Sequence, residues 1–157
     1  MKHKILEIGI DYHGVIDHRP RYFSDLCRHA ISKGHHIHII TGGPKSAVIK
    51  KLDDIHLPYT HIFAIVDYYA SKKEIQYLAN GDFHIADDLW NKAKGIYCLE
   101  HNISIHIDDS QEYIKWFKTP YCLYNDNEQV CTINKLHTID LTQSAEYVLE
   151  SIENILF

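Results

Sequence analysis
Short apolar runs alternate along the chain with longer stretches of helical spacing, and the two kinds follow one another from the start. Residues Lys4 to Ile10 read as a strand, apolar at Ile5, Leu6, Ile8 and Ile10 and too short for a helix. Pro20 suits the first turn of a helix, and Phe23, Leu26, Cys27 and Ala30 then recur with the spacing of one buried face, with Gly34 as the stop. A second strand is expected over about His36 to Ile40. The first β-α-β unit therefore closes without room for a large insertion.

Gly43-Pro44 opens another helix, expected from Pro44 to Leu52, and its N-terminal N–H groups favour an anion beside the Thr41 turn. Ile62 to Val66 reads as a third strand ending at Asp67. Residues 68–87 admit two readings. Ser71-x-x-Glu74 has the form of a helical capping box, whereas Asn80-Gly81 between Ile75/Tyr77 and Phe83/Ile85 is a hairpin signal. Alternation holds on both sides of Asn80-Gly81, so the hairpin is preferred. A helix at Leu89–Glu100, a strand Ile103–Ile107, a short helix near Glu112–Phe117, strands at Tyr121–Tyr124 and Gln129–Ile133, and an amphipathic helix over about Thr142–Leu156 complete the pattern. It predicts an α/β protein: a three-layer α/β/α, Rossmann-like parallel sheet in a single domain, residues 1–157, with a small inserted hairpin or flap at 68–87.

Three predicted strands deliver polar residues to their carboxyl ends, where open α/β sheets bind ligands. The first passes into Asp11-Tyr12-His13-Gly14-Val15, the second into Thr41-Gly42-Gly43, and the one before residue 108 into Asp108-Asp109-Ser110. Between the second and third lies a helix carrying Lys92 and Lys94, which point about 200° apart, so only one can face a common site.

The order aspartate, threonine, lysine, acidic pair resembles the haloacid dehalogenase superfamily of aspartate-nucleophile hydrolases, over roughly residues 5–125. Its signature is a strand-terminal Asp-x-Asp-Gly-Val, a strand-terminal Thr or Ser, a Lys, and a strand-terminal acidic pair. Receiver domains use the same residue types but place their acidic pair and acceptor aspartate before the threonine and lysine.

The resemblance implies a Mg²⁺-dependent phosphohydrolase acting on a small phosphorylated substrate. Asp11 is then the nucleophile, forming an aspartyl phosphate that water hydrolyses. Thr41, Gly42 and Gly43 hold phosphoryl oxygens, Lys94 neutralises their charge, and Mg²⁺ takes oxygens from Asp11, Asp108 and the main-chain carbonyl of His13, with Asp109 as helper. The segment Lys94–Asp108 matches the lysine, helix, strand and acidic pair of compact members, hence the choice of Lys94. The short cap looks most like the group containing the 5′(3′)-deoxyribonucleotidases.

The sequence departs from the signature at one position. His13 stands where most phosphatases of the superfamily carry a second aspartate that serves as acid and base. An imidazole can do that work. The alternative expectation is a catalytically impaired module that binds phosphate or metal or acts in regulation.

Composition narrows the field further. Apolar residues make up 45% and charged residues 24%, ordinary for a globular protein, and the formal net charge of −5 gives no footprint for nucleic-acid backbones. No apolar run approaches the roughly 18 residues of a membrane helix, and Met1-Lys2-His3-Lys4 leads straight into the first strand without a signal-peptide core, so a cytoplasmic protein is expected. Cys27, Cys98, Cys122 and Cys131 form no C-x-x-C pair and are expected to be reduced and mostly buried. The thirteen histidines suggest surface or half-buried positions rather than a metal site.

Overall fold
The computed structural model describes residues 3–80 and 82–157. In chain order the elements are β1 (Glu7–Ile10), α1 (Pro20–Ser32), β2 (His36–Thr41), α2 (Lys45–Asp54), β3 (His61–Ala64), α3 (Ile65–Ser71), β4 (Gln76–Tyr77), β5 (Phe83–His84), α4 (Asp87–Glu100), β6 (Ile105–Asp108), β7 (Tyr121–Asn125), β8 (Val130–Ile133), β9 (His137–Asp140) and α5 (Ala145–Leu156). Seven strands form one sheet in the order β3-β2-β1-β6-β7-β8-β9. The first five in that order pair in parallel, and β8 and β9 add an antiparallel extension.

Period-two alternation assigns the two faces of this sheet. Ile8, Ile10, Ile37, Ile39, Ile105 and Ile107 point into one core with Phe23 and Leu26 of α1, Val48 and Leu52 of α2, and Val148 and Ile152 of α5. On the opposite face Ile40 and Ile103 meet Tyr97 and Cys98 of α4. Helices thus cover both faces, as a Rossmann-like α/β architecture requires. Among the described residues no helix is long and apolar enough to cross a membrane.

The chain leaves β1 in two directions, first to β2 and β3 and later to β6 and β7. The carboxyl ends of β1 and β6 therefore flank the point where strand order reverses, the crevice in which such sheets hold ligands.

Two expectations are corrected. The apolar run Ile62–Val66 is not one strand: β3 stops at Ala64 and α3 begins at Ile65, which carries Asp67 into a helix. The short run lacks a period that separates strand from buried helix, and its end packs as a helix against α4. The four cysteines are not all reduced. Adjacent antiparallel strands β7 and β8 bring Cys122 and Cys131 to a Cα separation of 5.6 Å, and they form a disulfide, while Cys27 and Cys98 are free and buried. Most histidines are exposed or half-buried, as expected, and His35, His38 and His106 are the buried exceptions.

In the segment 68–87, β4 and β5 pair antiparallel, with Tyr77 opposite Phe83. This is the hairpin reading; Gly81, the second residue of its Asn80-Gly81 turn, lies outside the described residues.

Candidate active site
Beyond Ile10 the backbone stays extended through Asp11 (ψ 146°) and then enters an irregular turn, Tyr12–Ile16, broken at His13 (ψ 126°) and Gly14 (φ +84°). Gly14 is required twice. Its φ lies in the left-handed region, and a Cβ there would collide with the carboxylate of Asp109. Its N–H donates to Asp17 Oδ1 at 2.7 Å, which closes the turn.

One strand over, Asp108 ends β6. The Asp11 N–H donates to Ile107 O at 2.9 Å, so the two strand ends are joined beside the crevice. Lys94 reaches them from α4: its Nζ lies 2.8 Å from Asp108 Oδ2 and 3.1 Å from Asp11 Oδ1. All three side chains are buried, Asp11 at 5%, Asp108 at 0% and Lys94 at 4% relative exposure, so the attraction acts in a medium that screens it little. Asp108 accepts two further hydrogen bonds, from His106 Nε2 at 2.9 Å and from the Ser110 N–H at 3.1 Å.

These contacts push the two carboxyls apart in acidity. Burial raises both. For Asp108, Lys94 and His106 outweigh burial and hold its carboxyl well below the usual range. For Asp11 burial prevails over Lys94, Asp108 adds repulsion, and its pKa is pushed up to about 8. Burial acts to lower the Lys94 ammonium, yet the two carboxylates outweigh it and hold it above its ordinary value. Asp109 is raised by its partial burial and by Asp108. One ammonium does not balance the carboxyl groups of Asp11, Asp108 and Asp109 at this site.

Oxygens of Asp11, Asp108 and Asp109 lie within 4.8 Å of one another. Carboxylate oxygens are hard donors, and a set so close together suits a small divalent cation, which would compensate the same imbalance. The donor set therefore fits such an ion.

The cleft above these groups has a volume of about 220 Å³, and Asp11, His13, Gly42, Lys94 and Asp108 of the anticipated set all line it. The His13 side chain is half exposed, its Nδ1 3.7 Å from Asp17 Oδ2. Thr41 and Gly43 are not in the wall of this cleft. Thr41 is fully buried at the end of β2, its hydroxyl accepting from the Gly43 N–H at 3.4 Å. Of the two candidate lysines, Lys92 faces a separate cleft between α3 and α4.

The α2 N-terminus already carries one anionic partner. Asp67 Oδ2 accepts from the Lys45 N–H at 2.8 Å, so a carboxylate of the protein takes one of the N–H groups at this helix end. This follows from the early turn into α3, which swings Asp67 back toward Gly43.

Three neighbours escaped the sequence reading. His106 contacts Asp108 directly, and its signal was the i, i+2 spacing in Ile105-His106-Ile107-Asp108, which puts both on one face of β6. Trp90 lies over Gly42, where a Cβ would come within 3.0 Å of its ring, and its Nε1 donates to Tyr113 Oη at 3.0 Å. No local pattern marked Trp90 or Tyr113, whose positions depend on how α4 meets the segment after β6.

Fold and site together define a mostly parallel α/β protein with a buried acid and ammonium cluster at the switch point of its sheet. Comparison of the chain with family models, with curated proteins and with solved structures found no match in any of the three.

Proposed function
We propose that this protein is a Mg²⁺-dependent phosphohydrolase of the haloacid dehalogenase type, which cleaves a small phosphomonoester through an aspartyl phosphate on Asp11. The single observation that carries the reading is the position of Lys94 Nζ, in contact with both Asp11 and Asp108 at the carboxyl ends of adjacent parallel strands. The order of Asp11, Thr41, Lys94 and Asp108 along the chain supports it independently.

Asp11 and Asp108 would hold the ion, with Asp109 beside them and the His13 carbonyl as a main-chain oxygen. When bound, Mg²⁺ keeps the carboxylates ionised and offsets negative charge on the transferring phosphoryl group. In the first half-reaction the ionised Asp11 oxygen attacks phosphorus, a new O–P bond forms, and the bond to the leaving oxygen breaks. His13, at the rim of the cleft, gives a proton to that oxygen. Lys94 stays protonated and attracts the phosphoryl oxygens electrostatically. In the second half-reaction His13 takes a proton from water as it attacks phosphorus, and the O–P bond to Asp11 breaks to release phosphate.

A second reading is favoured by one feature, the half-exposed imidazole of His13, whose Nδ1 lies 3.7 Å from Asp17 Oδ2. It describes a module that binds phosphate and metal without turnover. Phosphate release from a panel of phosphomonoesters with Mg²⁺, measured for wild type, Asp11→Asn and His13→Ala, separates the two. The enzyme reading expects turnover that Asp11→Asn abolishes and His13→Ala lowers by about 10² to 10⁴. Absence of release from every substrate by wild type supports the module.

A further inference from the structure
His106 is a fully buried histidine in the middle of the sheet, and the surrounding residues make room for it. Its partner in register on β1 is Gly9, where a Cβ would lie 2.9 Å from His106 Nδ1 and 2.7 Å from Ile40 Cδ1. Glycine weakens a strand interior and often marks a place where another group approaches closely. On its other side the imidazole stacks on Phe117, with ring centroids 5.1 Å apart and planes 8° from parallel. The ring is thus held in position, with Nε2 directed to Asp108 Oδ2 at 2.9 Å.

The tautomer follows from its partners. The ionised Asp108 carboxylate can only accept, so His106 donates from Nε2. His106 Nδ1 has no hydrogen-bond partner among the described residues, and the single-proton form leaves there a bare lone pair rather than a buried unpaired N–H. With Lys94 Nζ on the same Oδ2 and the Ser110 N–H on Oδ1, the carboxylate of Asp108 is fixed by three donors. Oδ2 is occupied twice, which leaves Oδ1 as the oxygen with a lone pair to spare.

We infer that His106 is a positioning residue, which as the neutral Nε2–H tautomer orients the Asp108 carboxylate so that Oδ1 is presented to a divalent cation. This rests on the reading of the cleft as a cation site. Gly9 leaves room for both Ile40 and this ring, and an apolar residue in place of His106 would fill the core position without supplying the donor that Asp108 accepts. Partners in such outer shells typically change metal affinity by about 10- to 100-fold when removed.

Mn²⁺ binding to the full chain, followed by electron paramagnetic resonance, tests it with wild type, His106→Gln, His106→Leu and Asp108→Asn. His106→Gln keeps an N–H donor at similar reach and is expected to bind close to wild type. His106→Leu is expected to bind about 10- to 100-fold more weakly while unfolding cooperatively, and Asp108→Asn to lose most binding. Nitrogen-15 spectra of the wild-type imidazole, expected to show the Nε2–H tautomer, decide the matter together with His106→Gln if His106→Leu does not fold. Binding that is lost in Asp108→Asn but unchanged in His106→Leu, or an Nδ1–H tautomer, would overturn the positioning role alone. No Mn²⁺ binding by wild type would overturn the cation reading of the cleft and this role with it.

Discussion

Lys94 Nζ stands 2.8 Å from Asp108 Oδ2, and both side chains are shut off from water. Removing the ammonium would leave the carboxylates of Asp108 and Asp11 without their buried counter-charge. Breaking a buried pair in this way costs about 3–5 kcal/mol. Lys94→Met is therefore expected to lower stability by that amount in urea unfolding. The loss should shrink when a divalent cation is added, because the cation replaces the missing positive charge.

Gly14 ties the two acidic strand ends together sterically, since its missing Cβ is the space that the Asp109 carboxylate occupies. Gly14→Ala adds a side chain at φ +84°, a conformation costing about 1–2 kcal/mol for an L residue, and displaces Asp109. Unfolding should register that modest loss. Divalent-cation affinity, read by calorimetry, should fall by more than the stability change accounts for.

Asp67 shows how the structure uses the helix end that the sequence assigned to a ligand. Asp67→Ala removes the acceptor for the Lys45 N–H and is expected to cost about 0.5–2 kcal/mol in thermal unfolding. It also removes a negative charge beside Gly43, so inorganic phosphate should bind more tightly to the variant than to wild type in a calorimetric titration.

Away from the cleft, stability should fall on acidification. Burial raises Glu7, but hydrogen bonds to His38 and His36 outweigh it, so its pKa lies below its ordinary 4.5. In Glu153, Lys33 and His35 outweigh burial in the same way. His38 lies below its ordinary 6.5, because burial and the neighbouring His61 and His101 outweigh Glu7. All three groups bind fewer protons folded than unfolded, so stability rises with pH. The His38 contribution is present above about 6.5 and the carboxylate contributions above about 4.5, each lost as pH falls through the lower folded value. Asp11, with its raised pKa, acts in the opposite sense, so the test is the difference in urea midpoint between wild type and Glu7→Gln, which should shrink as pH falls below about 4.5.

The strands that build the site were legible because alternating isoleucines bracket their polar ends. Ile8 and Ile10 mark Asp11 as the first residue past a buried strand, and Ile105 and Ile107 do the same for Asp108. The acidic and lysine residues needed only chain order to be grouped. What the sequence hid was set by longer-range packing. The run Ile62–Val66 has no period, and the contact of Ile65 and Tyr69 with Ala93 turns its second half into α3. The edge strand β9 has a single buried residue, Ile139, too little for a strand pattern. His106 alternates as a surface residue would, and only the glycine opposite it in register shows where its ring fits.

Under the proposed function, Asp11 becomes covalently phosphorylated during turnover. Wild type should be mixed with Mg²⁺ and a phosphomonoester that it hydrolyses, quenched in acid within one turnover, digested, and examined by mass spectrometry. A phosphoryl adduct is expected on the peptide containing Asp11, labile to hydroxylamine and missing in Asp11→Asn. Sustained phosphate release with no adduct at any quench time, and with activity retained by Asp11→Asn, would contradict it.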